Sequence, residues 1–325
     1  MSSAQVSRRA ARGLLFLAVT AILWGTAPVA TNLVYHVAAT NAPSVAFFRL
    51  ALALPLLLPV TWRSAIRRGA TLCGGRSARF AGRDLAFTLL FGAGVASYQV
   101  LYFAAIPLVG VTIAALVTLC MAPLMVALLS AILLRERPGA PVLLALASAV
   151  SGTALLLGLR PDELQLQPHV EQGILLALGA ALSYAVVTLS GRAISSHLPS
   201  LPVVAVGMAA GTFALLPIAL LAGLVLSYPP AGWALLVYLG VVPTALAYLL
   251  FLHGVRFTTA TVASTVNLLE PLTSVVLAWL LFREPLDLLD LLGSLLLLGA
   301  MVLLYRHSAA PPLSTTKPVV PKPRF

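Results

Sequence analysis

The stretch 266–285, VNLLEPLTSVVLAWLLFREP, places the carboxylate of Glu270 inside an apolar run that ends in Arg-Glu-Pro. The stretch 118–138, TLCMAPLMVALLSAILLRERP, has a similar layout without that carboxylate. A shift of 148 residues aligns Pro123 with Pro271 and Arg135-Glu136 with Arg283-Glu284. Two gap-free matches within similar apolar runs predict an internal repeat.

The composition predicts an all-α integral membrane protein. Of 325 residues, 60% are hydrophobic and 9% are charged, which leaves too few charged side chains to cover a water-soluble fold. Apolar stretches of about 20 residues recur along the chain, and each is long enough to cross roughly 30 Å of hydrocarbon as a helix. The period-two alternation of a transmembrane barrel is absent. We predict ten transmembrane helices: 14–34, 44–61, 85–105, 109–134, 140–159, 173–190, 201–226, 232–252, 259–282 and 286–305.

The distribution of basic residues predicts the orientation of these spans. With the N-terminus inside, all but Arg49, Arg160 and Arg283 of the 20 Lys and Arg fall in cytoplasmic segments, among them the basic tail 1–13. This bias follows the positive-inside rule, so we expect both termini in the cytoplasm and a multi-pass location in a bacterial-type cytoplasmic (inner) membrane. The net charge of +11 then indicates topology and contact with membrane lipids rather than with nucleic acid. We expect the Pro-rich tail 306–325 to be disordered.

The repeat predicts a transporter. Each half, 14–159 and 173–305, holds five predicted spans, and an odd number inserts the two halves in opposite orientations. Many secondary transporters have this inverted repeat, bind substrate near the midplane and alternate access between the two sides. The chain has no Gly-x-x-x-x-Gly-Lys-Ser/Thr motif for binding a nucleotide.

Several segments resemble the EamA-type drug/metabolite transporters. They are AVTAILWGTAPVA at 18–30, FFRLALALPLLL at 47–58 and the two proline-containing helices that end in Arg-Glu. The resemblance extends over about residues 14–305. It implies a ten-helix inverted-repeat carrier of small metabolites such as amino acids, or of toxic compounds, and members often export.

This chain departs from a symmetrical pattern in two places. Trp24-Gly25 has only Tyr184-Ala185 as its counterpart in the second half, and Pro123 lacks the acidic neighbour that Pro271 has. The second departure concentrates the expected chemistry in the second half.

Glu270 is the principal candidate for the site. It falls near the middle of its predicted span, where an ionised group costs about 2.5 to 3.5 kcal/mol, so we expect it to face protein or a water-filled cavity. It binds a substrate amine, carries a proton or pairs with Arg49; these alternatives stay open. A cap for the backbone freed by Pro271 is a further structural alternative, although Pro123 does without an acid.

Arg49 and Asn267 are candidates that accompany Glu270. Arg49 lies roughly 7 Å into its span at 1.5 Å per residue, where it forms a fixed ion pair or clamps a substrate carboxylate. If Arg49 and Glu270 both line the cavity, a zwitterion satisfies both. Asn267 lies one turn before Glu270 on the same helix face and either joins the site or links two helices.

Aromatic and amide side chains within the predicted spans are the remaining candidates for substrate binding. Their polar groups need partners inside a bilayer, and a pocket lined in this way suits small organic molecules, although core packing also accounts for them. These candidates are Trp24, Tyr98, Gln99, Tyr102, Tyr184 and Tyr248. Pro123 and Pro271 are predicted to bend their helices, either as hinges or as static kinks.

Three functions remain for comparison. The first is a carrier that exports amino acids or related zwitterions, and the second is a proton-coupled exporter of hydrophobic cations. The third, a membrane enzyme or scaffold, is disfavoured because the five histidines are scattered in loops or span ends and never cluster with acids. We expect no cofactor and no metal, and a monomer is sufficient because ten spans can enclose a cavity.

Overall fold

The computed structural model describes residues 3–71, 82–135, 138–157, 169–195, 198–282 and 288–309, and every regular element in these ranges is helical. The helices are α1 Ser3–Val37, α2 Ala42–Ala51, α3 Leu54–Thr71, α4 Gly82–Leu129, α5 Ala140–Leu157, α6 Val170–Ser195, α7 Ser200–Leu221, α8 Pro230–Gly240, α9 Ala247–Val255, α10 Ala260–Val266, α11 Leu269–Phe282 and α12 Leu288–Ala309. Two π-helical segments, Ser130–Leu134 and Val241–Leu246, follow α4 and α8. The all-helical fold is confirmed for these residues.

Seven helical runs in the described part of the chain are long and apolar enough to cross a membrane. They are Ala11–Val37, Ala42–Arg63, Gly82–Ile106, Val117–Leu134, Val170–Ser195, Ser200–Leu221 and Pro230–Val255. Two apolar helices are shorter, Ala140–Leu155 and Leu291–Arg306, and the predicted span 259–282 is divided into α10 and α11. The prediction of ten spans in two inverted repeats stays a prediction.

The helical run α4 folds back along α6. A Cβ added at Gly94 would lie 2.9 Å from Val187, and Val109 packs against Gly173 near the start of α6. Farther along α4, the Thr118 hydroxyl donates to the Ala177 carbonyl at 3.2 Å. From Gly94 to Val109 the contacts move towards the start of α6, and from Val109 to Thr118 they move back along it. The chain therefore reverses between Val109 and Thr118. The predicted spans 85–105 and 109–134 therefore both run along α6, with the reversal later than the predicted connection.

The two ends of α1 contact different loops. Near its start, a Cβ added at Gly13 would lie 2.9 Å from Phe257, in the turn after α9. Just beyond its other end, the Asn41 side chain donates to the carbonyls of Ala222 and Gly223, at 3.1 and 2.9 Å. Because α1 rises about 1.5 Å per residue, these two loops lie on the order of 36 Å apart.

Helix α1 also begins earlier than the predicted span. It starts at Ser3, so most of the segment 1–13 that we expected to be a tail is helical. Arg, Ala and Gln in this segment have good helix propensity, whereas hydropathy predicts only the apolar part of a helix.

The main buried core lies between α1, α4, α6, α7 and α9 and includes Trp24, Phe91, Met208 and Phe251. Small residues let these helices approach closely, as is usual inside membranes. This packing places the aromatic residues of four helices around one point, where the candidate site lies.

Of the two helix ends predicted at Arg-Glu pairs, the structure describes only the first residue of one pair, Arg135. The π-helical segment ends at Leu134, and Arg135 adopts a left-handed conformation with φ 56°. Glu136, Arg283, Glu284, Cys73 and the tail from residue 310 lie outside the described residues.

Candidate functional site

The segment that carries Glu270 is a broken helix. Helix α10 ends at Val266, and α11 begins at Leu269. Pro271 has no N–H to give to the Asn267 carbonyl four residues earlier, and that carbonyl accepts the Glu270 N–H at 3.0 Å instead. The bend predicted at Pro271 is therefore an interruption at 267–268, and Glu270 stands in the first turn of the second piece.

Helix α1 fixes the position of this first turn. The Ser274 hydroxyl lies 2.9 Å from the Gly25 carbonyl and 3.1 Å from the Glu270 carbonyl. A Cβ added at Gly25 would lie 2.7 Å from the Glu270 carbonyl oxygen, so the two backbones touch there. Gly25 thus permits the close approach that brings its neighbour Trp24 beside the broken helix.

Aromatic rings from four helices form one wall of contacts. Trp24 of α1 lies with its ring centroid 6.4 Å from that of Tyr184 in α6 and 5.1 Å from that of Tyr248 in α9. Tyr98 of α4 lies 6.3 Å from Tyr184 and stacks on Tyr102 at 5.9 Å, with the ring planes 1° apart. Five residues from four segments that are far apart in sequence therefore form one cluster.

Two amide side chains carry oxygens without a partner. Asn267 donates from Nδ2 to the Tyr184 hydroxyl at 2.6 Å, while its Oδ1 is buried and accepts no hydrogen bond. The Oε1 of Gln99, one turn before Tyr102 on α4, is likewise buried and accepts no hydrogen bond. Both side chains are 5% exposed. Buried acceptors of this kind are costly unless a bound group donates to them.

Arg49 approaches the same region from the last turn of α2. It is within electrostatic range of Glu270, Tyr98 and Tyr248. Its Nε is buried without a hydrogen-bond partner, and within the part of the chain that the structure describes no ion pair joins Arg49 to Glu270. The fixed pair that the sequence left open is thus not made in this arrangement, and both side chains stay available to a ligand.

Glu270 is the charge common to the cluster. Its carboxyl lies within electrostatic range of Arg49 and of Tyr98, Tyr102, Tyr184 and Tyr248, so these candidates share one neighbourhood. Pro123 is buried within α4, and α4 continues through it. In the described ranges no three of His, Cys, Asp and Glu come together as metal ligands.

The candidates chosen from the sequence left out two rings and one segment. Phe251 lies 5.5 Å from Trp24, and Phe91 lies 5.8 Å from Tyr248. Phe251 follows Tyr248 at i+3, so helical spacing was a signal for it. The omitted segment is the π-helical one that precedes Tyr248. There Pro243 lacks an N–H, and the Thr244 hydroxyl donates to the Leu239 carbonyl at 2.7 Å.

Comparison with known proteins identifies the family. Residues 11–158 and 171–306 each match the model of the EamA-like transporter family. The chain belongs to the EamA-like transporter family. Relatives that cover nearly its whole length include the uncharacterized transporter YwfM of Bacillus subtilis, 30% identical over an alignment of 302 residues that covers 91% of this chain and 94% of the relative. An uncharacterized transporter of Archaeoglobus fulgidus is 33% identical over 294 residues, 90% of this chain and 95% of that protein.

A solved crystal structure has the same fold as this EamA-like chain. The two align with a TM-score of 0.75 and 19% identity, over 92% of this chain and 99% of the other. Family, relatives and apolar helices together make this a multi-pass membrane transporter.

Proposed function

We propose that this chain is a secondary transporter that exports small zwitterionic metabolites, such as amino acids, across the cytoplasmic membrane by alternating access. In this proposal the ten spans form two inverted five-helix repeats, both termini are cytoplasmic, and the substrate lies near the midplane between the repeats. The substrate enters the cluster around Glu270.

The observation that carries the proposal is the set of unsatisfied groups around Glu270. Arg49 presents a buried Nε donor without a partner, and Asn267 presents a buried Oδ1 acceptor without one. A substrate carboxylate suits the guanidinium, which binds such groups in a planar, bidentate manner. A substrate ammonium suits Glu270 and the amide oxygen, because it donates to both.

The amide of Gln99 favours a substrate with a primary ammonium group. Gln99 Oε1 is a second buried amide oxygen without a donor, and in this proposal it joins Glu270 and Asn267 as a third acceptor. A primary ammonium has three N–H groups to give, whereas a quaternary ammonium has none. The rings of Trp24 and Tyr248 then pack against the substrate's apolar part.

The broken helix supports alternating access. Discontinuous helices near the midplane form the substrate sites of several transporter folds. The break at 267–268 separates Asn267 from Glu270, so a change in the angle between α10 and α11 moves one candidate relative to the other. We assign Pro271 as a hinge of this motion and Pro123 as its counterpart in the first half.

The second candidate function is a proton-coupled exporter of hydrophobic cations. The aromatic cluster of Trp24, Tyr98, Tyr102, Tyr184 and Tyr248 favours it, because rings around a carboxylate attract cations that have no N–H groups. In this function Glu270 exchanges protons for substrate, and Arg49 opposes binding by its charge.

Transport by purified protein in liposomes tests the proposal. We expect a primary amino acid to exchange across the membrane, and Glu270→Gln to reduce exchange about 100-fold because an ionic hydrogen bond worth about 3 kcal/mol is lost. Arg49→Gln separates the two functions. It reduces zwitterion exchange in the first and leaves cation exchange intact or faster in the second.

Gel filtration and circular dichroism of each variant serve as the control for folding. Full amino acid exchange by a folded Glu270→Gln variant would overturn the site. Exchange of cationic dyes alone, unaffected by Arg49→Gln, would replace the first function with the second.

A further inference from the structure

A groove between the start of α7 and the end of α9 lies on the surface of the bundle, apart from the aromatic cluster. It holds about 380 Å³. Its lining residues are Pro199, Ser200, Leu201, Leu249, Leu250, His253 and Arg256. His253 and Arg256 are exposed, and the other lining residues are half-buried. The groove is therefore open to the surroundings of the protein.

Helix α9 contributes both basic and apolar residues to this groove from a single face. His253 follows Leu249 and Leu250 by four and three residues, and Arg256 follows His253 by three, so the four lie on the same side of the helix. The opposite side carries Phe251, which is fully buried against the aromatic cluster. The two basic side chains thus stand directly beside the two leucines that line the groove.

The polar side chains of the groove suit a negatively charged group. Neither the Arg256 guanidinium nor the Ser200 hydroxyl has a hydrogen-bond or ion-pair partner among the residues that the structure describes. The His253 ring is held edge-on between Phe16 and Phe257, with centroids at 4.9 and 5.7 Å. No carboxylate is among the lining residues, so a guanidinium that can only donate is left to meet an anion.

We propose that this groove binds an anionic phospholipid of the cytoplasmic leaflet. Arg256 and Ser200 donate to the phosphate oxygens, and His253 lines the same end of the groove. A guanidinium binds phosphate oxygens in pairs of parallel hydrogen bonds, and basic residues next to a membrane attract anionic lipids. The proposal does not depend on which substrate the protein transports.

The place of the groove favours a lipid over a soluble phosphate compound. The predicted orientation assigns both 191–200 and 253–258 to the cytoplasmic side, where the headgroups of the inner leaflet lie. Leu246, one turn before Leu250, is 42% exposed and continues the apolar face away from the basic end. An acyl chain can cover Leu246, Leu249 and Leu250 while its phosphate meets the donors, whereas a soluble phosphate compound leaves these leucines uncovered.

Lipid binding to the purified full-length chain tests the proposal. Phosphatidylglycerol is titrated into protein in neutral detergent, beside phosphatidylcholine with the same acyl chains, and retained lipid is counted by native mass spectrometry. We expect phosphatidylglycerol to bind about fivefold more tightly, and Arg256→Gln to bring its binding down to that of phosphatidylcholine. Ser200→Trp fills the groove without a change of charge, so it should weaken the binding of both lipids.

The matched control is Arg63→Gln, which removes an exposed charge of α3 outside the groove and on the same predicted side of the membrane. It should bind phosphatidylglycerol as the wild type does, and a loss equal to that of Arg256→Gln would overturn the headgroup site. Unchanged lipid binding by folded Ser200→Trp would overturn the groove, independently of the arginine variant. Glycerol phosphate should not displace the lipid, and displacement at equal concentration would assign the groove to a soluble phosphate compound instead.

Discussion

The hydrogen bond from Asn267 to Tyr184 links the broken helix to α6 and sets the direction of the amide. Because Nδ2 is engaged with the Tyr184 hydroxyl at 2.6 Å, Oδ1 is left to face other groups. Tyr184 is also in ring contact with Trp24 and Tyr98. One tyrosine thus orients an acceptor and supports the aromatic wall.

Tyr184→Phe is expected to reduce both stability and transport. It keeps the ring contacts but removes the partner of Asn267, and such bonds within membranes contribute about 0.6 to 2 kcal/mol. Thermal unfolding in detergent measures the loss of stability, and exchange in liposomes measures transport. Tyr98→Phe is the control, because it removes a hydroxyl from the same cluster and keeps the stack on Tyr102. Equal effects of the two variants would show that the bond to Asn267 has no special part.

At the scale of single residues, the sequence predicted site candidates where a polar side chain lies within an apolar span. Glu270 and Asn267 stand out because polar side chains within an apolar span need a reason, and the structure brings them together with Trp24, Tyr184 and Tyr248. The surroundings of Arg49 were not predictable, because whether it pairs with Glu270 depends on how α2 packs against α11. Phe91 and Phe251 were missed because an apolar ring in an apolar span is unremarkable in sequence.

Among the elements, α1 and α11 form the tightest approach at the site. A Cβ at Gly25 would lie 2.5 Å from Thr273 Cβ and 2.7 Å from the Glu270 carbonyl oxygen, and neither neighbour is the flexible end of a long side chain. The two helices therefore cannot accept even a methyl group at this position without moving apart.

Gly25→Ala is expected to destabilise the protein by about 1 to 3 kcal/mol, as overpacking does, and to lower transport by shifting the turn that carries Glu270. Gly299→Ala is the matched control. It lies in helix α12 with nothing within 4 Å of an added Cβ, so it should be neutral or stabilising by up to about 1 kcal/mol. Thermal unfolding of both variants measures the difference. A Gly25→Ala variant as stable as Gly299→Ala would contradict the close approach.

Element boundaries were harder to predict than the spans. The reversal within the run from Gly82 to Leu134 falls later than predicted, because the segment between its two spans is itself apolar, and Pro107 and Gly110 do not indicate which residues turn. The position of the break at 267–268 was not predicted either, because Pro271 indicates a bend but does not show at which residues the helix is interrupted.

In the whole molecule, two described segments that follow α7 and α9 lie at opposite ends of α1. Residues 222–223 contact Asn41 beyond its C-terminal end, whereas Gly254 and Phe257 contact Gly13 near its start. The alternation predicted from basic residues assigns the second segment to the cytoplasm. Charge bias could predict this arrangement because it acts on the chain during insertion, before the helices pack.

Cysteine labelling tests the orientation. Ser227→Cys and Arg256→Cys introduce single exposed thiols at the two ends, in a variant in which Cys73 and Cys120 are replaced by Ser. We expect a membrane-impermeant maleimide to label Ser227→Cys on intact cells, and Arg256→Cys only after the cells are permeabilised. The reverse pattern would invert the topology, and labelling of both on intact cells would contradict their separation by the membrane.

The π-helical segment Val241–Leu246 has a consequence for the history of the chain. A π turn holds one residue more than an α turn, so everything after it is rotated by about 100° relative to an uninterrupted helix. Tyr248 and Phe251 therefore face Trp24 only because of a single extra residue upstream. Deletion of one codon there would restore an α-helical turn and exchange these rings for their neighbours in one step.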